Sequence, residues 1–253
     1  MENSNETHEV QECEATCATH GPYMAKRTWV DLIGKYFTGT CPKCAEERTA
    51  KDQAEEQRKQ DERLERMRRN AGVPPRFDGK TLETFRVDTD KQQLALAACQ
   101  RLVAALKSGT QAPNMVMIGK PGTGKSHLCC GMVLALYKTH KVSRIDLPDL
   151  IREIRSTWHR DSERSEDAVL NHYGSSDLLI IEEVGTGAGT DDERARIFQV
   201  INRRYEAMLP TVVVSNLDME GLKKEIGDRV IDRLREGDRS LLVFDWPSLR
   251  GAA

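Results

Sequence analysis

The stretch Gly119-Lys120-Pro121-Gly122-Thr123-Gly124-Lys125-Ser126 restricts what this chain can fold into more than any other. Its pattern, G-x-x-x-x-G-K-S, is the signature of a loop whose backbone N–H groups cradle phosphates. The apolar run Met115-Val116-Met117-Ile118 precedes it, and the mostly apolar run from His127 to Leu136 follows. That order predicts a buried strand, a glycine turn and a buried helix whose N-terminus favours an anion. Lys125 would reach the β- and γ-phosphates and Ser126 would place its hydroxyl on Mg²⁺. Gly119, Pro121, Gly122, Thr123, Gly124 and His127 complete the expected contacts to a nucleoside triphosphate.

At 253 residues the chain is long enough for one sizeable core. Charged residues make up 31% of it and the net charge is −2, so a nucleic-acid contact would have to be a local patch. No apolar run approaches the ~18 residues of a membrane span, and the acidic N-terminus has no apolar signal core. A reducing, cytoplasmic setting follows as the expectation, in which clustered thiols read as metal ligands rather than disulfides.

Four of the seven cysteines, Cys13, Cys17, Cys41 and Cys44, precede residue 45. Cys41-Pro42-Lys43-Cys44 is a C-x-x-C turn and Cys17-Ala18-Thr19-His20 a C-x-x-H turn, a pairing that can surround Zn²⁺ tetrahedrally. Cys17, His20, Cys41 and Cys44 have the symmetrical spacing; Cys13 could replace His20. Tyr23, Trp29, Val30, Leu32, Ile33, Tyr36 and Phe37 would supply a ribbon-like hairpin between the turns. Residues 45–70 carry matched acidic and basic side chains and only Leu64 and Met67 as large apolar ones, which predicts a solvated helical spacer. The expected organisation is a zinc module over 1–44, a charged linker over 45–71 and one larger domain over 72–253.

Lys91–Lys107 reads as an amphipathic helix with Leu94, Ala98, Leu102 and Leu106 along one stripe. Strands are expected at Val142–Ile145, Leu178–Ile181, Thr211–Val214 and Leu241–Phe244, in addition to the one before the glycine loop. Helices are expected at Asp149–Trp158, Glu166–His172, Asp191–Met208, Met219–Ile226 and Asp228–Glu236. This alternation predicts a five-stranded parallel sheet between helices, with no room for a helical lid after the last strand. The run Leu178-Leu179-Ile180-Ile181 ends in Glu182-Glu183. Paired acids at such a strand end would sit beside the phosphate loop. Glu182 would hold the Mg²⁺ hydration shell and Glu183 would polarise the attacking water.

Several stretches together resemble one family, the DnaC-type helicase loaders and the related IstB-like ATPases of the AAA+ class. They are Ala71-Gly72-Val73-Pro74-Pro75-Arg76-Phe77, the glycine loop, Leu178–Gly185, Ile201-Asn202-Arg203-Arg204-Tyr205, Ser215-Asn216-Leu217, Gly227–Leu234 and Val243-Phe244-Asp245-Trp246-Pro247-Ser248. The cysteine-rich front end is similar to that of phage and prophage members. The resemblance implies ATP or ADP as the nucleotide, a replicative hexameric helicase and single-stranded DNA as partners, and self-association through the ATP sites. It implies that Asn216 senses the γ-phosphate. It also implies that Arg229 or Arg233, with Arg233 preferred, reaches the ATP of the next subunit as an arginine finger. Trp158 falls where such loaders carry an aromatic residue for single-stranded DNA, with Arg155 and its neighbours Arg152 and Arg160 for phosphates. The alternatives are an IstB-like transposition regulator and a zinc-dependent nucleotide-binding adaptor without turnover. Glu182 departs from the family's aspartate by one methylene, which predicts intact nucleotide binding and slowed hydrolysis.

Overall fold

The computed structural model describes residues 10–30, 35–187, 189–235 and 241–250. Leu32 and Ile33, expected in a strand, and Glu236, expected to end a helix, lie outside these residues. The chain divides into two compact units, Met1–Arg63 and Leu64–Ala253.

The first unit is a three-stranded antiparallel sheet followed by a long helix. Strands β1 (Val10–Cys17), β2 (Gly21–Val30) and β3 (Lys35–Thr38) pair in that order. β1 was not expected; it pairs with β2 along its whole length, from Val10 opposite Thr28 to Cys17 opposite Gly21. The first C-x-x-H turn is thereby the tip of a hairpin. Helix α1 (Pro42–Asn70) starts one residue after Cys41, with Pro42 at the first helical position, where a missing N–H costs nothing. None of its residues is buried, as expected of a solvated spacer.

Gly72 and Val73 end α1, and a single 3₁₀ turn at Pro75–Phe77 leads to helix α2 (Asp90–Lys107). A reciprocal capping box between Thr89 and Gln92 starts α2. Its buried face is Gln92, Ala95, Leu96, Ala98, Cys99, Leu102 and Val103. Leu94, expected on the buried stripe, is 63% exposed. The face against the core is broader than an i, i+4 line, and Gln92 enters it because its carbonyl accepts the N–H groups of Asp88 and Thr89.

The second unit continues with β4 (Met115–Gly119), α3 (Lys125–Leu136), β5 (Val142–Asp146), α4 (Leu147–Ser156), α5 (Glu166–Gly174) and β6 (Leu178–Val184). It ends with α6 (Asp191–Glu206), β7 (Thr211–Ser215), α7 (Met219–Ile226), α8 (Asp228–Leu234) and β8 (Leu241–Phe244). The five strands β4 to β8 form one parallel sheet in the order β5-β6-β7-β4-β8. Two apolar cores cover its two faces. One gathers α2 and α3 with Met117, Ile180, Val212 and Phe244; the other gathers α4, α5, α6, α7 and α8 with Val116, Ile181 and Val213. β7 separates β4 from β6, so the strand carrying the paired acids is not the neighbour of the strand carrying the phosphate loop. Among the described residues, no helix is long and apolar enough to cross a membrane.

Candidate functional site

The loop after β4 turns at the carboxyl end of the sheet, where α/β folds bind ligands. Gly124 opens α3 with φ +96°, and a Cβ on it would stand 2.6 Å from the Phe85 ring, so only glycine fits. The Lys125 ammonium donates to the carbonyls of Gly119 (2.6 Å) and Lys120 (2.9 Å). Burial lowers its pKa, and the nearby charge of Glu183 opposes that shift. The segment after β8 clamps the loop from outside. Trp246 Nε1 donates to Thr123 O (2.9 Å), and the Leu249 N–H donates to Gly122 O (2.8 Å).

A cleft of about 240 Å³ opens over this loop. It is lined by Pro121, Gly122, Gly124, Lys125, Ser126 and His127 from the loop and α3, by Glu182 and Glu183 from β6, and by Asn216 after β7. Residues distant in sequence but expected together are therefore brought together here. Arg76, Phe77, Lys80, Leu249 and Arg250 also line it and were not foreseen. The first three come from a stretch without periodicity, and Arg250 from a C-terminal segment whose path only the packing of Trp246 reveals. His127 is held at the rim, its Nε2 against Thr81 O (2.8 Å) and Thr84 Oγ1 (3.1 Å).

Glu182 and Glu183 face different surroundings. Glu182 lies deep, its side chain 2% exposed. Ser126 Oγ donates to its Oε2 (2.5 Å), and Arg144 Nε donates to its Oε1 (2.5 Å). Two hard oxygens, Ser126 Oγ and Glu182 Oε2, thus meet at the edge of the phosphate loop, a donor set that suits Mg²⁺. Arg144 was missed in the sequence, although an arginine inside Val142-Ser143-Arg144-Ile145 was a signal. Burial is the largest single effect on its pKa and works to lower it, but the Glu182 charge, the nearby Cys130 and Cys129 thiols and the hydrogen bond to Glu182 together make the net shift upward. Glu183 takes φ +54°, a left-handed backbone that a side chain rarely adopts. The register between β6 and β7 slips at this point, between Ile181 and Val184. The resulting bulge turns the Glu183 carboxylate out of the strand and into the cleft.

Of the two candidate finger arginines, Arg233 is engaged within its own subunit. Its Nε donates to Asn202 Oδ1 (2.9 Å), its Nη1 donates to Arg229 O (3.2 Å), and its guanidinium stacks on Phe198 and Tyr205. Arg229, one turn earlier on α8, is exposed. Trp158 is 52% exposed. Its Nε1 donates to Glu166 Oε2 (2.7 Å), and the Arg196 guanidinium lies 5.2 Å from its ring centre. Arg155 is paired with Asp192 (3.1 Å) and Glu193 (3.6 Å), so a phosphate would have to compete with two acids for it.

In the first unit, Cys17, His20, Cys41 and Cys44 converge, their ligand atoms all within 4.8 Å of one another; Cys13 is not among them. Cys17 Sγ lies 3.4 Å from Cys44 Sγ, and His20 Nδ1 lies 3.3 Å from Cys44 Sγ and 3.8 Å from each of the other two sulfurs. A tetrahedral zinc site with Zn–S bonds of ~2.3 Å has edges of about 3.7 Å, so the cluster fits. The other ring nitrogen, His20 Nε2, meets Glu47 Oε1 at 3.1 Å, the carboxylate partner that fixes a ligating imidazole. Backbone N–H groups of Thr19 and His20 pull the Cys17 thiol down to about 6. The hydrogen bond with Cys17 pushes Cys44 up to about 11.

The chain matches the model of the IstB-like ATP binding protein family over residues 49–235. It is similar to the replicative helicase loader DnaC of Escherichia coli (strain K12), 31% identical over 189 residues that cover 74% of this chain and 76% of that protein. The DnaC of Buchnera aphidicola subsp. Schizaphis graminum is 30% identical over the same shares. Among solved structures, a DnaC helicase loader superposes with a TM-score of 0.58 at 22% identity, covering 68% of this chain and 99% of that one. DnaI superposes with a TM-score of 0.57 at 20% identity, over 71% and 95%.

Proposed function

We propose that this chain, which belongs to the IstB-like ATP-binding protein family, is an ATP-dependent loader of a replicative DNA helicase onto single-stranded DNA. The observation that carries the reading is the convergence of Lys125, Ser126, Glu182, Glu183 and Asn216 on one cleft, in a chain so similar to proteins named helicase loaders. Residues 72–253 would be the motor, 45–71 a spacer and 1–44 a zinc module that engages the helicase.

In this reading Lys125 leaves the loop carbonyls for the β- and γ-phosphates, and Ser126 and Glu182 hold Mg²⁺. The ion would neutralise charge developing on the phosphates. Glu183 orients and deprotonates the attacking water, and Asn216 reports the γ-phosphate to β7. Arg229 is the better candidate for the finger that completes a neighbour's site, because Arg233 is already occupied. Trp158 would stack on a base with its free face. Cys17, His20, Cys41 and Cys44 would hold zinc.

The test is co-purification with a replicative helicase, with and without ATP. Wild type should associate in a nucleotide-dependent way, and Lys125→Ala should lose nucleotide binding and that dependence together. Association indifferent to both would refute the loader reading. A second reading, a transposition regulator, is favoured only by the family's own description. Preference for duplex over single-stranded DNA would support it.

A further inference from the structure

The two oxygens of Glu182 have different partners, Ser126 on one side and Arg144 on the other, both at 2.5 Å. We propose that Arg144 is the positioning residue of the metal–nucleotide site: by taking one oxygen of Glu182 it turns the other onto Ser126. This rests on the nucleotide-site reading above and deepens it.

Register places the pair. In the parallel ladder Arg144 stands opposite Ile180 and Asp146 opposite Glu182, so Arg144 and Glu182 are one pleat apart along neighbouring strands. A long side chain can run forward across that gap. The guanidinium is itself held. Its Nη1 donates to Gly72 O (3.2 Å), and the Arg144 backbone N–H donates to Ala71 O (3.0 Å). Gly72 has φ +82°, and a Cβ there would lie 2.0 Å from Arg144 O, so glycine alone permits the approach. On the far side Asp146 Oδ1 lies 3.5 Å from Nη2 and, although buried, accepts no hydrogen bond. Arg144 therefore sits between two acids with its fork fixed by backbone.

Stability alone does not account for such a pair, because a buried ion pair is often no more stabilising than apolar residues of similar volume. The length of Glu182 points to the site instead. An aspartate would be shorter by one C–C bond, about 1.5 Å. With both bonds already at 2.5 Å, it could not reach Arg144 and Ser126 together. Glu182 and Arg144 are matched: the cation in the neighbouring strand compensates for the extra methylene, and the carboxylate still presents one oxygen to the metal. The neighbourhood has adapted to glutamate, and the longer acid does not by itself displace the ion.

The experiment titrates a fluorescent ATP analogue into the full-length chain, once with Mg²⁺ and once with EDTA. The ratio of the two affinities isolates the metal contribution. In Arg144→Met the ratio should fall about tenfold or more, as when an outer partner of a metal ligand is lost, while the EDTA affinity holds. Glu182→Asp should fall similarly, because Arg144 draws the shorter carboxylate away from Ser126. The Arg144→Met/Glu182→Asp double variant should regain most of the loss, because without the guanidinium the aspartate is free to meet Ser126. If Arg144→Met does not fold, Arg144→Lys carries the same test with a smaller loss, because an ammonium lacks the fork that joins Glu182 to Gly72. An unchanged or increased ratio in the arginine variant, or losses that simply add in the double variant, would overturn the proposal. Absence of nucleotide binding by wild type would instead overturn the underlying reading, and this proposal with it.

Discussion

Loss of one ligand from the Cys17, His20, Cys41 and Cys44 cluster should unfold the sheet of the first unit and leave the second unit standing. The perturbation is Cys41→Ser, which deletes the most deeply buried of the four clustered ligands. Among the described residues of this unit only Ala25 and Cys41 are buried. Two such small side chains contribute about 2 kcal/mol of apolar burial. A structural zinc ion contributes an apparent ~10–16 kcal/mol. Among its described residues the sheet exposes Met24 and Phe37 and buries too little apolar surface to substitute for the ion. Zinc content should therefore fall from about one per chain to none. Trypsin should then cut rapidly at Lys26, Arg27 and Lys35, while the melting transition of the second unit stays in place. Rapid cutting of wild type after chelation should match. A metal-free variant whose β1–β3 region remains protected would show that the sheet folds without the ion and that the energetic reasoning is wrong. Ligand choice is read from the companions: His20→Ala should release zinc and Cys13→Ser should not.

Arg229→Ala should leave ATP binding by an isolated subunit intact and abolish hydrolysis in an assembly. Turnover should return when that subunit supplies the phosphate loop and a Lys125→Ala subunit supplies Arg229; if only Arg233→Ala behaves so, the finger is Arg233. Trp158→Ala should weaken single-stranded DNA binding by about 1–3 kcal/mol for one stacked base and barely move the melting temperature, because half the indole is already in solvent. A large drop in melting temperature with unchanged DNA affinity would make the indole structural. Arg204→Met should destabilise the second unit by about 3–5 kcal/mol in denaturant unfolding. Arg204 is fully buried and donates to the carbonyls of Tyr173, Ser176 and Pro210 and to Thr211 Oγ1, acceptors that would be left without a donor. A loss under about 1 kcal/mol would mean that water or neighbours take over those bonds.

The sequence by itself determined what depends on neighbours in the chain. The phosphate loop is local chemistry, eight residues whose glycines and lysine work only between a strand and a helix, and it was legible without a fold. The three central strands β4, β6 and β7 were legible because a sheet covered on both faces needs continuous aliphatic runs, while the edge strands β5 and β8, only partly buried, were marked by shorter apolar stretches. The two ligand turns of the cysteine cluster were legible because a C-x-x-C or C-x-x-H turn sets its own spacing.

Tertiary structure decided the rest, where a residue's role is set by something far away in the chain. That β7 enters between β4 and β6 is a choice of strand order, and apolar runs carry no record of order. The outward turn of Glu183 comes from a slip in register against β7, not from its own neighbours. Leu94 fits a helical stripe but is exposed, because the direction from which α3 packs sets the buried face of α2. Arg250 lies 125 residues beyond Lys125 and reaches the cleft only because Trp246 and Leu249 bind the loop. Glu182 read in isolation as a misplaced ligand; its partner Arg144 stands 38 positions earlier, on another strand. A side chain's length carries meaning only against the distance it must span, and that distance exists only once the sheet has formed.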